Sequence, residues 1–323
     1  MYDLITIGDI KLDTFVVLDN ASVQCQLKMP DCLLCLEYGA KIPVNVVDSQ
    51  IAGSAPNVAV GLARLKKKTA VISNMGVDGT REMAIKHLKK EGVDDAFIHI
   101  AKDEASSYSV VLNFHGERTI LASHIHHAYH LPKPIPKTPW MFVCEMGPGY
   151  EALFKSLISL VKKDSVRIAF NPGTIQWHEK KPILFELIKY TDILFVNREE
   201  AQAITGSSSI EIHHLAPALH KLGAKIVLIT DGKNGSYFFN GASLSFCPIF
   251  PAKLVEMTGA GDAFASGFMG ALLHEQSPHE AMRWGTLNSA SVVEHVGPTA
   301  GLLTEAKIRA RLSKHPNFKV EPM

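Results

Sequence analysis

The amino-acid sequence predicts an α/β fold, with a central, mostly parallel β-sheet and helices on its faces. Short apolar runs rich in β-branched residues alternate with longer segments whose apolar residues recur every three or four positions, as in βα units. The composition, with 46% hydrophobic and 20% charged residues, is that of a folded globular protein. We expect the 323 residues to form a single domain, 1–323.

The strands and helices can be assigned in order along the chain. The candidate strands are the β-branched apolar runs at residues 4–7, 69–73, 140–144, 167–170, 193–196 and 226–230. The candidate helices have amphipathic spacing and lie at residues 57–65, 81–91, 150–163, 181–189 and 212–222. Because helices lie between successive strands, we expect crossover connections and a parallel sheet.

Two segments, at about residues 14–51 and 97–126, interrupt this alternation. The second contains the alternating run SYSVVLNF and then Gly116, which together indicate antiparallel strands with a turn. Because both segments leave and rejoin the α/β body, we expect them to form one small β-sheet that covers a cleft as a lid. If one face of this lid is exposed and apolar, it would pair with a second copy to form a homodimer.

The charge balance argues against nucleic acid as a partner. The chain has 33 Lys and Arg against 32 Asp and Glu, which gives a net charge of +1 and no basic surplus. The N-terminus lacks the cationic start and the long apolar stretch of a secretory signal. The most apolar later stretch, residues 263–273, is about half as long as a bilayer requires. We therefore expect a cytoplasmic protein without a membrane partner.

Neither the cysteines nor the histidines form a diagnostic metal pattern. Cys25, Cys32 and Cys35 lie in the first lid segment with no fourth cysteine nearby, so we expect free thiols. The histidine cluster at residues 124–130 has no carboxylate or cysteine at a diagnostic spacing. Metal binding is the less favoured alternative for both groups.

The most informative stretch is TGAGD, residues 258–262, which precedes the helical pattern AFASGFMGALL. Small residues at a helix start let the backbone N–H groups of Gly259, Ala260 and Gly261 converge on an anion, which the helix dipole also favours. Asp262 would then accept a proton from a substrate hydroxyl. The alternative is a glycine turn whose acidic residue only stabilises the helix. The spacing fits neither a Walker A loop nor the dinucleotide fingerprint.

The run TGAGDAFASGF resembles the C-terminal signature of the ribokinase-like (PfkB) family of carbohydrate and nucleoside kinases. Other stretches resemble that family's motifs in the same order, namely GDIKLD, AGSAPNVAVGLARL, NREE and TDGKNG. The resemblance covers nearly the whole chain. It implies a ribokinase-like fold and the ATP-dependent phosphorylation of a hydroxymethyl group on a sugar or nucleoside.

The resemblance also implies roles for individual residues. Asp262 would be the catalytic base, with the amides of Gly259, Ala260 and Gly261 as its anion hole. The substrate would be held by Asp13, Gly53 and Asn57, and ATP by Asn197, Thr230, Gly232, Gly235 and Asn288, the last near the adenine. Glu200 would hold Mg²⁺ through water, which agrees with that ion's preference for keeping its waters. Glu256 and Thr258 occupy the family's potassium position, where a possible K⁺ would bind.

A few further residues bear on the substrate class. Lys11 and Arg118 would favour an acidic substrate, such as a 2-keto-3-deoxygluconate-type sugar acid, unless they are solvated surface charges. Glu145 follows a strand and would face the cleft, where it supports the substrate or magnesium. Ser54 stands where phosphosugar-type members commonly have lysine, which favours a neutral sugar or nucleoside. A non-catalytic small-molecule-binding protein on the same fold is the remaining alternative.

Overall fold

The structure, a computed structural model, describes residues 1–25, 32–114 and 117–323. Its strands are β1 (Leu4–Ile7), β2 (Lys11–Leu18), β3 (Ser22–Cys25), β4 (Cys32–Cys35), β5 (Val44–Ala52), β6 (Thr69–Gly76), β7 (Asp94–Ala101), β8 (Ser107–Phe114), β9 (Glu117–Ser123), β10 (Trp140–Val143), β11 (Arg167–Phe170), β12 (Ile193–Asn197), β13 (Ile226–Thr230), β14 (Ser236–Phe239), β15 (Leu244–Cys247) and β16 (Glu321–Pro322). Its helices are α1 (Ser54–Arg64), α2 (Gly79–Lys90), α3 (Glu151–Lys163), α4 (Thr174–Glu179), α5 (Pro182–Ile188), α6 (Arg198–Thr205), α7 (Ile212–Lys221), α8 (Ala260–Leu273), α9 (Pro278–Val292) and α10 (Glu305–Lys314). Among these helices, none is long and apolar enough to cross a bilayer.

The larger sheet of the described residues has ten strands in the order β16-β15-β14-β13-β12-β11-β10-β1-β6-β7. The strands from β13 to β7 are parallel to their neighbours. Strands β14, β15 and β16 add an antiparallel edge. Parallel strands covered on both faces need apolar residues throughout, which explains why β10 reads WMFV and is buried at every position.

Helices cover both faces of this sheet. Alternate residues of β10 belong to different apolar clusters, Phe142 to one and Met141 to the other, because successive side chains point to opposite faces. The first cluster includes residues of α1, α8 and α9, with Trp284 fully buried. The second includes residues of α3, α5 and α7, with Phe154 fully buried. The predicted α/β architecture is confirmed.

A smaller, separate sheet has the strand order β5-β2-β8-β9. Strand β2 is antiparallel to β5 and parallel to β8, and β9 is antiparallel to β8. Lys11 at the start of β2 lies opposite Ala52 on β5 and Ser107 on β8, so the three strands meet the body of the protein side by side. Strands β3 and β4 form a separate hairpin. The prediction of a small additional sheet is confirmed.

The predicted limits of that sheet need two corrections. The sheet begins at Lys11 and not near residue 14, because β2 pairs along its whole length. The residues from Phe97 to Ala101 belong to β7 and pair with β6 in the larger sheet. Strand β7 lies at the edge of the larger sheet and is only half-buried, so its sequence lacks the apolar run of the central strands. The predicted turn at Gly116 lies outside the described residues.

The expectation of free thiols is wrong for two of the three cysteines near the small sheet. Cys25 and Cys32 form a disulfide. They lie directly opposite each other on β3 and β4, with their Cα atoms 4.3 Å apart, and this register brings the two side chains within bonding reach. Cys35 keeps a free thiol.

Candidate active site

The functional side chains meet at the carboxyl edge of the larger sheet. Asp9 and Glu145 follow the parallel neighbours β1 and β10, and the Asp9 amide donates to the Glu145 carbonyl oxygen over 3.1 Å. Asn197 ends β12 at the same edge. The small sheet leaves the body here too, since β2 begins at Lys11, shortly after β1 ends. Open α/β sheets bind ligands at such edges.

Helix α8 begins at the TGAGD turn. Gly259 caps the helix with a φ of 79°, a conformation that favours glycine. A Cβ atom at Gly259 would lie 2.5 Å from the Pro298 side chain, so the close approach of these two segments also requires glycine. Glycine is therefore required at residue 259 both by the backbone conformation of the turn and by its close packing against Pro298.

One of the three amides expected in the anion hole is already used. The Ala260 amide donates to the carbonyl oxygen of Met257 over 3.2 Å, which removes it from the predicted set in this structure. The helical bonding begins when Ala263 donates to Gly259, at 2.8 Å. Helix geometry leaves the amides at the very start of α8 without an intrahelical acceptor. A Cβ at Gly261 would meet no atom within 4 Å, so open space adjoins this part of the turn.

Asp262 lies in the first turn of α8 and bonds to helix α1. Its Oδ2 atom accepts a hydrogen bond from Asn57 Nδ2 over 2.8 Å. Burial raises the pKa of Asp262, and hydrogen bonds from the Asn57 and Ser54 side chains partly offset that increase. A carboxylate whose pKa is raised in this way is a better proton acceptor than an ordinary aspartate.

Asp13 offers an unused acceptor to the same cleft. Its side chain is buried, and its Oδ1 atom has no hydrogen-bond partner among the described residues. Burial raises the pKa of Asp13, and the charge of Lys11 opposes that shift. Gly53, which was also expected near the substrate, has a φ of 114°, and a Cβ there would lie 2.3 Å from the Asp9 carbonyl oxygen. Gly53 therefore lets α1 start against the chain that carries Asp9.

Lys11 and Glu145 form an ion pair inside the cleft. The distance from Lys11 Nζ to Glu145 Oε2 is 3.2 Å, and the side chains are only 13% and 20% exposed. Burial disfavours the charge on Lys11, but the carboxylates of Glu145 and Asp13 outweigh it and raise the pKa of Lys11. Burial likewise opposes the charge on Glu145, and Lys11 outweighs it and lowers the pKa of Glu145. Lys11 is therefore neither a solvated surface charge nor an unpaired cation.

From the sequence, Asp9, Tyr129 and His124 were not predicted to lie in this cleft. Asp9 accepts from the Tyr129 hydroxyl at 2.6 Å and from the Gly147 amide at 2.8 Å. His124 lies between two carboxylates, with Nδ1 3.9 Å from Asp9 and Nε2 3.9 Å from Glu145. The position of Asp9 directly after the first strand was the only available signal. Nothing in the sequence indicated that the histidine cluster reaches this cleft.

The Asn-x-x-Glu motif forms a capping box at the start of α6. Asn197 Oδ1 accepts from the Glu200 amide at 2.8 Å, and Glu200 Oε2 accepts from the Asn197 amide at 2.9 Å. Burial and the charges of neighbouring carboxylates raise the pKa of Glu200 to about 7, against the effect of the Asn197 amide. Glu145 and Asp262 are among those carboxylates. A cation would relieve their mutual repulsion.

The loop after β13 lies next to this capping box, because Thr230 pairs with Asn197 across the strands. Arg198 Nη1 lies 3.0 Å from Asp231 and joins the two strand ends. Gly232 has a φ of 49°, and no atom lies within 4 Å of where its Cβ would be. Gly235 has a φ of 92°, and a Cβ there would lie 2.4 Å from the Cys247 carbonyl oxygen. An incoming group can approach the backbone closely at the first glycine.

The comparisons with known proteins agree with this geometry. The model for the pfkB family carbohydrate kinase matches residues 13–305. The chain belongs to the pfkB family of carbohydrate kinases. Members of this family are phosphotransferases with an alcohol group as acceptor, and the activity class of this chain is that of a sugar or nucleoside kinase.

The relatives of this pfkB kinase are named as kinases of different substrates. It is 29% identical over 270 residues to a 5-dehydro-2-deoxygluconokinase of Clostridium perfringens, covering 75% of this chain and 78% of the relative. It is 26% identical over 305 residues to a cytidine kinase of Thermococcus kodakarensis, covering 92% and 98%. The Arabidopsis thaliana ribokinase, solved with ribose and ATP, superposes with a TM-score of 0.79 at 21% identity, covering 96% and 98%. The predicted ribokinase-like fold is confirmed.

Asn288 of this pfkB kinase does not reach a surface where it could contact adenine. Its side chain is fully buried between helices. Its Nδ2 atom donates to Ala263 and Ser266 of α8, and its Oδ1 atom accepts from the Leu303 amide at 2.8 Å. These hydrogen bonds give Asn288 a structural role between α8 and α9. Sequence position on the helix could not distinguish a buried face from an exposed one.

Glu256 and Arg118, expected in separate roles, lie together. The Arg118 Nη1 atom, from β9 of the small sheet, lies 3.6 Å from Glu256 Oε1. The same Oε1 atom accepts from the Thr258 amide at 2.7 Å and from the Thr258 hydroxyl. The expected potassium position therefore already contains a cationic side chain.

Proposed function

We propose that this pfkB kinase transfers the γ-phosphoryl group of ATP to a hydroxymethyl group of a neutral sugar or nucleoside, with Asp262 as the base. One observation carries the proposal: Asp262 adjoins the open start of α8 and also bonds to Asn57 on α1. A base beside a set of backbone donors is the arrangement that phosphoryl transfer requires.

In this mechanism, Asp13 and Asn57 hold the hydroxyl groups of the substrate. Both are buried, and each has an oxygen atom without a hydrogen-bond partner among the described residues, which a hydroxyl would satisfy. Asp262 accepts the proton of the attacking hydroxyl. The amides at the start of α8, around Gly261, stabilise the negative charge on the transferred group.

We place the nucleotide phosphates against Gly232 and the Mg²⁺ ion near Glu200. The residues fit a hydrated ion, because one Glu200 oxygen caps α6 while the carboxylates of Glu145 and Asp262 add negative charge nearby. When bound, Mg²⁺ supplies positive charge to the phosphate oxygens. Asn197 fixes the orientation of Glu200 through the capping box. Thr230 and Gly235 position the loop and Gly232 itself.

We assign residues 1–323 to one kinase domain, in which the small sheet acts as the lid. Its strands reach the cleft through Lys11 and Asp13, so its orientation affects the substrate contacts. A closed lid would exclude water, which limits ATP hydrolysis and strengthens charge interactions.

A neutral acceptor agrees best with the charges in the cleft. Asp9, Asp13, Glu145 and Asp262 place acidic groups around the substrate position, and Lys11 is already paired with Glu145. An anionic substrate would meet repulsion there. The second candidate is a sugar-acid kinase, which the likeness to the 5-dehydro-2-deoxygluconokinase favours.

The test is release of ADP from ATP and Mg²⁺ across ribose, fructose, cytidine, adenosine and 2-keto-3-deoxygluconate. We expect one neutral acceptor to give the strongest response. A stronger response to the sugar acid would favour the second candidate. For the active acceptor, D262N should lower kcat about a thousandfold while ATP still binds, since a base acts in the transition state. The matched control, D103N, changes an exposed aspartate and should keep full activity.

We also propose a homodimer formed through the small sheet. Val16, Leu112 and Leu121 share one face of this sheet by register, and Val46 lies opposite Val16. Val16 and Leu112 are buried in a cluster against which Leu34 packs, so the proposed contact is made by the edge strands. Val46 is 61% exposed and Leu121 56%, so an exposed apolar side chain lies on each edge strand of this sheet. Light scattering should report a dimer for the native protein and a monomer for V46D/L121D. A native monomer at working concentration would contradict the proposal.

We place this kinase in the cytoplasm, where its proposed phosphate donor, ATP, is supplied. The near-zero net charge of +1 favours a small-molecule substrate over a nucleic acid or a membrane surface. Cell fractionation with a tagged protein would test this location, and recovery in the membrane pellet would contradict it.

A further inference from the structure

The ion pair between Arg118 and Glu256 joins two parts of the fold that are far apart in sequence. Arg118 lies on β9, at the edge of the small sheet, whereas Glu256 immediately precedes the turn that starts α8. The Glu256 side chain is only 4% exposed and that of Arg118 is 30% exposed. A carboxylate so deeply buried needs a compensating positive charge.

Among the described residues, Arg118 is the one cation that forms an ion pair with Glu256 and supplies that charge. One atom of each side chain, Glu256 Oε2 and Arg118 Nη1, has no hydrogen-bond partner among the described residues. A bidentate pairing of guanidinium and carboxylate would satisfy both atoms. Arg118 therefore keeps a donor atom, and Glu256 an acceptor atom, for a closer pairing.

Glu256 also shapes the turn that carries the base. Its Oε1 atom accepts from both the amide and the hydroxyl of Thr258, the residue before the Gly259 cap. The charge state around Glu256 therefore acts on the start of α8 through Thr258. A contact made by the small sheet is in this way connected to the proposed anion hole.

We propose that Arg118 is a positioning residue that serves as a built-in monovalent cation for Glu256. The residues around Glu256 do not fit a bound K⁺, because the Arg118 guanidinium lies 3.6 Å from the carboxylate, supplies its positive charge and would repel a second cation. Nucleotide binding should consequently be independent of potassium. Removing the guanidinium should create a potassium requirement, since Glu256 would then be buried without a counter-charge.

The experiment compares potassium chloride with tetramethylammonium chloride at equal ionic strength, with two measurements in each salt. The first is the thermal midpoint without nucleotide, and the second is the Kd for Mg–ATP by calorimetry. The native protein should give the same values in both salts. R118Q should bind Mg–ATP about tenfold more weakly in tetramethylammonium, and potassium should restore most of that loss. R118Q/E256Q should recover in either salt, because the buried charge is gone.

R309Q is the matched control, since Arg309 forms an exposed pair with Glu305 on α10, and it should behave as the native protein does. A native protein that binds Mg–ATP tenfold more tightly in potassium would overturn the inference. R118Q values equal to those of R309Q in both salts would do the same.

The inference rests on the proposed function only in its use of ATP as the probe. If the native protein bound no ATP in either salt, the proposed function would fail. The thermal midpoints of R118Q and R118Q/E256Q, measured without nucleotide, would still decide whether Arg118 neutralises Glu256 and whether potassium replaces it.

Discussion

Asn57 Nδ2 lies 2.8 Å from Asp262 Oδ2, although 205 residues separate the two in the sequence. The contact joins the first turns of α1 and α8, which provide the proposed substrate and phosphate contacts. A hydroxyl held by Asn57 is therefore next to the base. The same hydrogen bond lowers the pKa of Asp262 and so opposes the effect of burial, which raises it.

Replacing Asn57 with alanine should move the acidic limb of the pH profile to higher pH. The Asn57 hydrogen bond lowers the pKa of Asp262, so its loss raises that pKa and more of the base is protonated at a given pH. The measurement is kcat/KM against pH with the acceptor that the substrate panel identifies. An acidic limb that stays in place would show that Asn57 does not tune Asp262.

Mg²⁺ binding should weaken as the pH falls below 7. Burial raises the pKa of Glu200 to about 7, so the carboxylate is increasingly protonated below that pH and no longer attracts a hydrated cation. Calorimetry of Mg–ATP binding in buffers of different ionisation enthalpy should detect proton release near pH 7. E200Q should abolish that release. Equal proton release in E200Q would show that a group other than Glu200 releases the proton.

Replacing only Lys11 of the Lys11–Glu145 pair should lower the stability of the protein more than replacing both residues. In K11M the Glu145 carboxylate loses its partner, and we expect about 2–3 kcal/mol lower stability, somewhat below fully buried pairs because both side chains keep some solvent contact. K11M/E145Q should recover at least half of this loss. Urea unfolding of the three proteins measures both values, and additive effects would contradict the coupling.

Gly53 should not accept a side chain. A Cβ in G53A would lie 2.3 Å from the Asp9 carbonyl oxygen, and the φ of 114° is strained for alanine, so we expect a loss of about 2–4 kcal/mol. The matched control is G79A at the start of α2, where no atom lies within 4 Å of the added Cβ. G79A should be neutral or slightly stabilising in the same thermal unfolding assay. Equal stability of both variants would contradict this account.

Much of the fold was predictable because its signals are local. The apolar runs of the parallel strands are buried on both faces, so β1, β11 and β13 occur at the predicted residues. Edge strands lack that signal. Strand β7 has a mixed pattern, and only its pairing with β6 shows that it belongs to the larger sheet.

The candidate site was predictable only where one motif holds several residues. The turn before α8 and the capping box of α6 each lie within a few consecutive positions. In contrast, the contact between Tyr129 and Asp9 joins residues 120 positions apart, and nothing local to either position indicates the other. The burial of Asn288 could not be predicted for a similar reason, since it depends on how α9 packs against α8.

The pairing of Lys11 with Ala52 and Ser107 fixes one end of strand β2 to the body of the protein. Strand β2 has 8 residues and, at about 3.3 Å each, is a lever arm of about 26 Å fixed at that end. A rotation of about 10° at the pivot would displace the far end by roughly 4–5 Å. Arg118 is carried near that far end, opposite Asn113. A small angular change produced by a ligand at Lys11 or Asp13 would thus produce a larger displacement at Arg118, which the contact with Glu256 would oppose.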